Sequence, residues 1–144
     1  MKNENKIKLF LVDDDAVYLK SLEIEFLQQA DFTIETFATG ELCVENLSHN
    51  PDVIILDYLL SGIDKNAMNG IETLDKIKAF NPDIPVVMLS SQDKIEVAVN
   101  CMHHKAFDYL VKSETAFMNL QKIITTIFRY KKIEKELSWY MDRM

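Results

Sequence analysis

A doubly wound α/β domain, a five-stranded parallel sheet with helices on both faces, is the fold class this chain predicts, and three observations carry the prediction. Short unbroken runs of branched apolar residues, Val53 to Asp57 the clearest, read as strands buried on both faces. Each run is followed by a segment whose apolar residues recur at three and four, the period of a core-facing helix. Five such units alternate strictly, which is the signature of right-handed βαβ crossovers. The common order for five strands is 2-1-3-4-5, with strands 1 and 3 adjacent at the switch point where open sheets bind their ligands.

Ile7 to Val12 (IKLFLV) is the first strand, stopped by the acidic triplet Asp13, Asp14, Asp15. From Ala16 to Gln29 the residues Val17, Leu19, Leu22, Ile24, Phe26 and Leu27 mark a helix. Thr33 to Phe37 alternates as a strand near the sheet edge does, and Thr39 can cap a helix from Gly40 to about Ser48. Asn50 and Pro51 break the chain before Val53 to Asp57. The twelve residues between Asp57 and Gly70 carry no period and predict a long loop at the functional edge. A helix from about Ile71 to Phe80 presents Ile71, Leu74 and Ile77 on one face, and NPDIP stops it. Val86 to Leu89 is the fourth strand, ending at Ser90 and Ser91. Lys94 to about Lys105 is a weaker helix, and Phe107 to Val111 is a fifth strand with Lys112 at its end.

From about Thr115 the pattern is helical almost to the terminus. Met118, Ile123, Ile124, Ile127 and Phe128 can pack on the sheet, whereas Tyr130, Ile133, Leu137, Tyr140 and Met144 continue at spacings of 3, 4, 3 and 4. The second set outruns a small domain, so the chain divides into a domain over 1–129 and an extension of its last helix over 130–144. The extension predicts a seam for a second copy or another partner.

With 144 residues the chain suffices for one core. Its 23 acidic against 16 basic residues give a net charge of −7, which argues against direct nucleic-acid binding. No apolar stretch reaches membrane-spanning or export-signal length, so a cytoplasmic protein is expected. Cys43 and Cys101 lack metal spacing and read as reduced thiols. His103 and His104 point different ways on a helix and read, with His49, as surface residues.

The predicted strand order brings Asp13 and Asp14 beside Asp57. Like charges about 5 Å apart repel by roughly 3 kcal/mol at an effective dielectric of 20, so the cluster calls for a cation. Carboxylates with a backbone carbonyl and waters suit Mg²⁺. Lys112, from strand 5, brings a positive charge to the same place, and Ser90, from strand 4, a hydroxyl donor. A carboxylate nucleophile, a metal, a lysine and a hydroxyl are the equipment of in-line phosphoryl transfer.

On these residues the chain resembles the receiver domain of two-component response regulators, the CheY-like members of the flavodoxin-like folds, over roughly Ile7 to Phe128. Asp13 and Asp14 match the family's metal-binding pair, Asp57 its phosphorylated aspartate, Ser90 its hydroxyl residue, Tyr109 its switch aromatic and Lys112 its lysine. The resemblance implies a phosphoprotein that takes a phosphoryl group from a histidine kinase or histidine phosphotransfer protein. It also implies that Mg²⁺ is required, that the Leu59 carbonyl completes the metal shell, and that Ser90 and Tyr109 relay a conformational switch to a downstream protein target. Such a domain catalyses its own phosphorylation and dephosphorylation without turning over a separate substrate.

The chain departs from the family pattern in three places. Gly70 comes 13 positions after Asp57, so the loop from Tyr58 to Asn69 is enlarged, and it lacks the usual proline. Ser113 stands after Lys112 where a cis proline is usual. Ser91 replaces a small apolar residue and narrows access to the site. Leu59 and Gln92 occupy the variable positions that tune attack of water on the acyl phosphate. The alternative reading is a phosphorylation-independent interaction or dimerisation module. A P-loop NTPase is excluded by the absence of GxxxxGK[ST], and an aspartyl-phosphatase is disfavoured because Leu59 stands where such enzymes place a second aspartate.

Overall fold

The computed structural model describes residues 6–29, 31–60 and 65–144. Residues 61–64, in the middle of the enlarged loop, lie outside the described residues. Elements run β1 Ile7–Val12, α1 Ala16–Leu27, β2 Phe32–Phe37, α2 Gly40–Glu45, a 3₁₀ turn Leu47–His49, β3 Val53–Asp57, α3 Gly70–Phe80, β4 Val86–Ser90, α4 Ile95–His103, β5 Asp108–Val111 and α5 Ala116–Met141. All strands are parallel, in the order β2-β1-β3-β4-β5. The expected architecture is therefore the observed one.

Strand side chains alternate between two apolar layers. Leu9, Leu11, Val53, Ile55, Val87 and Leu89 face α1 and α5, where Leu22, Phe26, Leu120, Ile124 and Ile127 cover them. Phe10, Val12, Ile54, Leu56, Val86 and Met88 face the other way, under Cys43, Leu74, Ile77, Val97 and Cys101 from α2, α3 and α4. Every residue of β3 and β4 is buried, which is why these strands read as unbroken apolar runs. Cys43 and Cys101 are free thiols inside that second layer.

The differences from expectation are at element ends, where capping decides. The second helix stops at Glu45 rather than near Ser48, because Leu47–His49 tightens into a 3₁₀ turn closed by Asn50 in the left-handed region, φ 58°. The fourth helix ends at His103, two residues early, and Lys105 takes φ 77° to turn the chain into β5. The third helix begins one residue early, at Gly70, where Asn69 and Glu72 form a capping box. Gly70 is sterically obligatory there: a β-carbon would lie 2.5 Å from the Tyr58 oxygen and 2.6 Å from that of Asp57. At the C-terminus α5 is one unbroken helix of 26 residues, and Met144 lies beyond its end.

Candidate phosphoryl-acceptor site

Strand register sets the site. Val12 is level with Leu56, so the residues that follow, Asp13 and Asp57, leave the sheet side by side. Asp57 pairs with Leu89, and Ser90 with Val111, which advances each strand end by one residue across the sheet. Ladder hydrogen bonds hold these ends: Tyr58 N–H donates to Leu89 O at 2.8 Å, and Lys112 N–H to Ser90 O at 2.7 Å.

The acidic triplet divides its labour. Asp15 caps α1, accepting from the N–H groups of Val17 and Tyr18 at 3.1 and 3.2 Å. Asp13 turns inward, with one oxygen accepting from Asp15 N–H at 2.9 Å. Ligand oxygens of Asp13, Asp14 and Asp57 lie within 4.8 Å of one another. Asp13 and Asp57 are 3% and 4% exposed, so their charges are largely cut off from water.

Lys112 answers part of that charge. Its Nζ lies 2.8 Å from Asp13 Oδ2 and 3.4 Å from Asp57 Oδ1. The closer contact is an ion pair without hydrogen-bond alignment. Burial pushes the Asp57 carboxyl up to about 6, and Asp13 adds to this, against the opposing pull of Lys112 and of the Leu59 N–H that donates to it. Burial alone would lower Lys112, but Asp13 and Asp57 outweigh it and hold the ammonium above its ordinary value. One lysine thus faces an excess of acid. Asp14 Oδ2 is also buried without a hydrogen-bond partner. Hard oxygen donors, crowded charge and an orphaned carboxylate oxygen fit a divalent cation such as Mg²⁺.

A cleft of roughly 470 Å³ opens here, lined by Asp13, Asp14, Asp15, Ala16, Asp57, Leu59, Ser91 and Lys112. Ser90 is 1% exposed, and its hydroxyl accepts from Gln92 N–H at 3.0 Å on the inner side of the β4–α4 loop. The Tyr109 hydroxyl, on β5, neighbours Ser90 and donates to the Gln92 carbonyl. Asp13, Asp14, Asp57, Leu59 and Lys112 therefore converge on one cleft, while Ser90 and Tyr109 meet just behind it. No cis peptide occurs among the described residues, so Lys112 joins Ser113 in trans.

Sequence reasoning missed Tyr18. Its ring lies under the Lys112 ammonium, 4.5 Å from Nζ to centroid. The available signal was its place one turn after the Asp15 cap, on the stretch of α1 nearest the ends of β1 and β5. The histidines stay clear of the site: His49 pairs with Glu35 at 2.9 Å and His104 with Asp75 at 2.8 Å.

A buried carboxylate beside a second one, with a lysine and an orphaned ligand oxygen at the carboxyl edge of a parallel sheet, defines a phosphoryl-acceptor type of module. The chain belongs to the response regulator receiver domain family, whose model matches residues 9–125. Accepting a phosphoryl group is the standard function of that family, with histidine kinases or phosphotransfer proteins as donors and Mg²⁺ at an acidic pocket. Among curated relatives, the regulatory protein LuxO of Vibrio vulnificus is 30% identical over 69% of this chain and 21% of its own length. The protein-glutamate methylesterase/protein-glutamine glutaminase of Clostridium acetobutylicum is 36% identical over 78% of this chain and 32% of its own. The chain therefore spans about a fifth to a third of the relatives it matches. The receiver domain of a putative LuxO repressor from Vibrio parahaemolyticus shares the fold, with a TM-score of 0.78 at 21% identity over 92% of this chain and 97% of that one. The CheX-CheY-BeF3-Mg complex from Borrelia burgdorferi superposes with a TM-score of 0.72 at 26% identity, covering 88% and 98%. Among the described residues no helix is long and apolar enough to cross a membrane.

Proposed function

We propose that this chain takes a phosphoryl group onto Asp57 from a phosphohistidine of a kinase or phosphotransfer protein and passes the change to a downstream protein target. A carboxylate oxygen of Asp57 forms the new P–O bond as the P–N bond to the partner imidazole breaks, and the imidazole leaves with the electron pair. Asp13, Asp14, Asp57 and the Leu59 carbonyl would hold Mg²⁺, which neutralises phosphoryl oxygens when bound. Lys112, already seated between Asp13 and Asp57, exchanges these contacts for a phosphoryl oxygen. Ser90 turns its hydroxyl from Gln92 to the new group, and Tyr109 follows the loop, changing the surface of α4, β5 and α5.

The observation that carries this reading is the surplus of buried acid over Lys112 at Asp57, which leaves the site short of cation. The chain divides accordingly into a receiver over 1–129 and a helical extension over 130–144, the second offering a surface for another copy. A cytoplasmic location accords with a kinase donor. Incubation with acetyl phosphate and Mg²⁺, followed by intact mass, tests the reading. One added phosphoryl mass, absent without Mg²⁺ and in Asp57→Asn, is expected; no addition, or addition that survives Asp57→Asn, overturns it.

A further inference from the structure

We propose that the terminal segment of α5 is one half of a parallel, in-register two-helix seam formed with a second copy of this chain. The first half of α5 is committed to its own domain through Ala116, Leu120, Ile124 and Ile127. Past that point Tyr130, Ile133, Leu137, Trp139, Tyr140 and Met141 are between 50% and 62% exposed. A segment of this length on its own is marginal as a helix in water, so a partner face is the natural source of its stability.

The apolar residues are not a random scatter. Tyr130, Ile133, Leu137 and Tyr140 occupy the a, d, a and d positions of two heptads. At about 100° per residue this stripe is rotated roughly a third of the way round the helix from the face packed on the sheet. Pairing leaves Ala116, Leu120, Ile124 and Ile127 on the sheet, while Tyr130 and Glu134, which border a cleft with Lys78 and Lys105 of the same domain, lie where the two faces meet. Lys131, on the domain side, is tied down: its Nζ donates to the Asp52 carbonyl at 3.3 Å and lies 5.5 Å from the Phe128 ring centroid.

Charge selects both occupant and direction. With Tyr130 at a, Arg129 is a g residue and Glu134 an e residue, and in a parallel pair Arg129 meets the partner subunit's Glu134, twice by symmetry. An antiparallel pair, which sets a layers against d layers, would instead oppose Arg129 to the partner subunit's Arg143, and Glu136 to the partner subunit's Glu136. Like charges facing each other disfavour that arrangement. The basic residues Lys132 and Lys135 fall on the outer c and f positions, away from the seam. Two heptads make a short seam, so the dimer is expected to dissociate in the micromolar range.

The proposal is independent of phosphorylation at Asp57, and Asp57→Asn leaves it unchanged. Sedimentation velocity of the full chain from about 1 to 200 μM is expected to show monomer passing to dimer, a range chosen to bracket micromolar dissociation. Ile133→Asp, whose change lies on an exposed face and leaves the fold intact, is expected to be monomeric throughout. Arg129→Glu is expected to weaken the dimer at least about tenfold, and Arg129→Glu with Glu134→Arg to restore it. Direction is read from Ile133→Cys: a parallel seam joins the two introduced sulfurs under mild oxidation, and the native Cys43 and Cys101 are buried and will not compete. A single monomer mass at every concentration overturns the proposal and leaves the face to a different helix. A dimer that survives Ile133→Asp, or an Ile133→Cys chain that crosslinks only when mixed with Leu137→Cys, overturns it as well.

Discussion

A β-carbon on Gly70 would stand 2.6 Å from the main-chain oxygen of Asp57. The first residue of α3 thus rests directly on the backbone that delivers the acceptor carboxylate, and Gly70 N–H donates to Tyr58 O at 3.1 Å. Gly70→Ala must push that backbone or tilt the helix, at a cost of about 1–3 kcal/mol. Urea denaturation should report this loss, with phosphorylation by acetyl phosphate slowed in the fraction that stays folded. Gly40→Ala is the control. Its β-carbon would meet the Thr73 side chain at 2.0 Å rather than the backbone of β3, so it should lower stability while folded protein is phosphorylated at the normal rate.

Asp57 is a stability cost in the metal-free protein. Its carboxyl rises from 3.8 to about 6, by burial first and Asp13 second. For an acid the raised value means that ionisation opposes folding: the penalty is absent below pH 3.8 and fully present above pH 6. The difference corresponds to about 3 kcal/mol. Asp57→Asn should therefore raise the melting temperature in EDTA at pH 7.5, with the gain shrinking as pH falls from 6 toward 4. Addition of Mg²⁺ should stabilise the parent chain and not the variant.

Tyr18 should matter as a ring rather than as a phenol. Tyr18→Phe keeps the face beneath Lys112 and is expected to be phosphorylated at close to the parent rate. Tyr18→Leu removes it, and the loss of a partly desolvated cation–π contact predicts slowing of about two- to thirtyfold. If Tyr18→Phe is as slow as Tyr18→Leu, the hydroxyl and not the ring is responsible.

Tyr109→Phe removes the hydroxyl that donates to the Gln92 carbonyl. A loss of about 1 kcal/mol in stability is expected. Because the Tyr109 ring still packs in the layer under α4, phosphorylation itself should persist. The response to beryllofluoride with Mg²⁺, followed by hydrogen exchange in the loop after Ser90, should be blunted.

How much of this was readable beforehand depends on what each feature rests on. The strand order and the meeting of Asp13, Asp14 and Asp57 follow from periodicity and from the one common way to wind five parallel units, and both were expected. Helix ends depend on local capping, which is why the second helix stops early at Glu45 and the fourth at His103. Asp15 illustrates a harder case: a run of three aspartates reads as a metal cluster or as a helix cap, and here the third caps α1 while oxygens of the first two gather near Asp57. Tyr18 escaped because a side chain at helical spacing carries no mark of the lysine that arrives from a strand almost a hundred residues later. Gly70 stands out in the sequence for its distance from Asp57 along the chain, whereas in the fold it matters through contact with the Tyr58 and Asp57 backbone.

The one-residue advance of each strand end, Asp57 level with Leu89 and Ser90 level with Val111, has a bearing on how such a module can vary. Acid, hydroxyl and amine are carried on rungs fixed by the sheet, so their spacing is indifferent to what is spliced between them. Among the described residues, the stretch from Tyr58 to Asn69 brings Leu59 to the cleft, whereas the acidic cluster and Lys112 are carried at the ends of β1, β3 and β5.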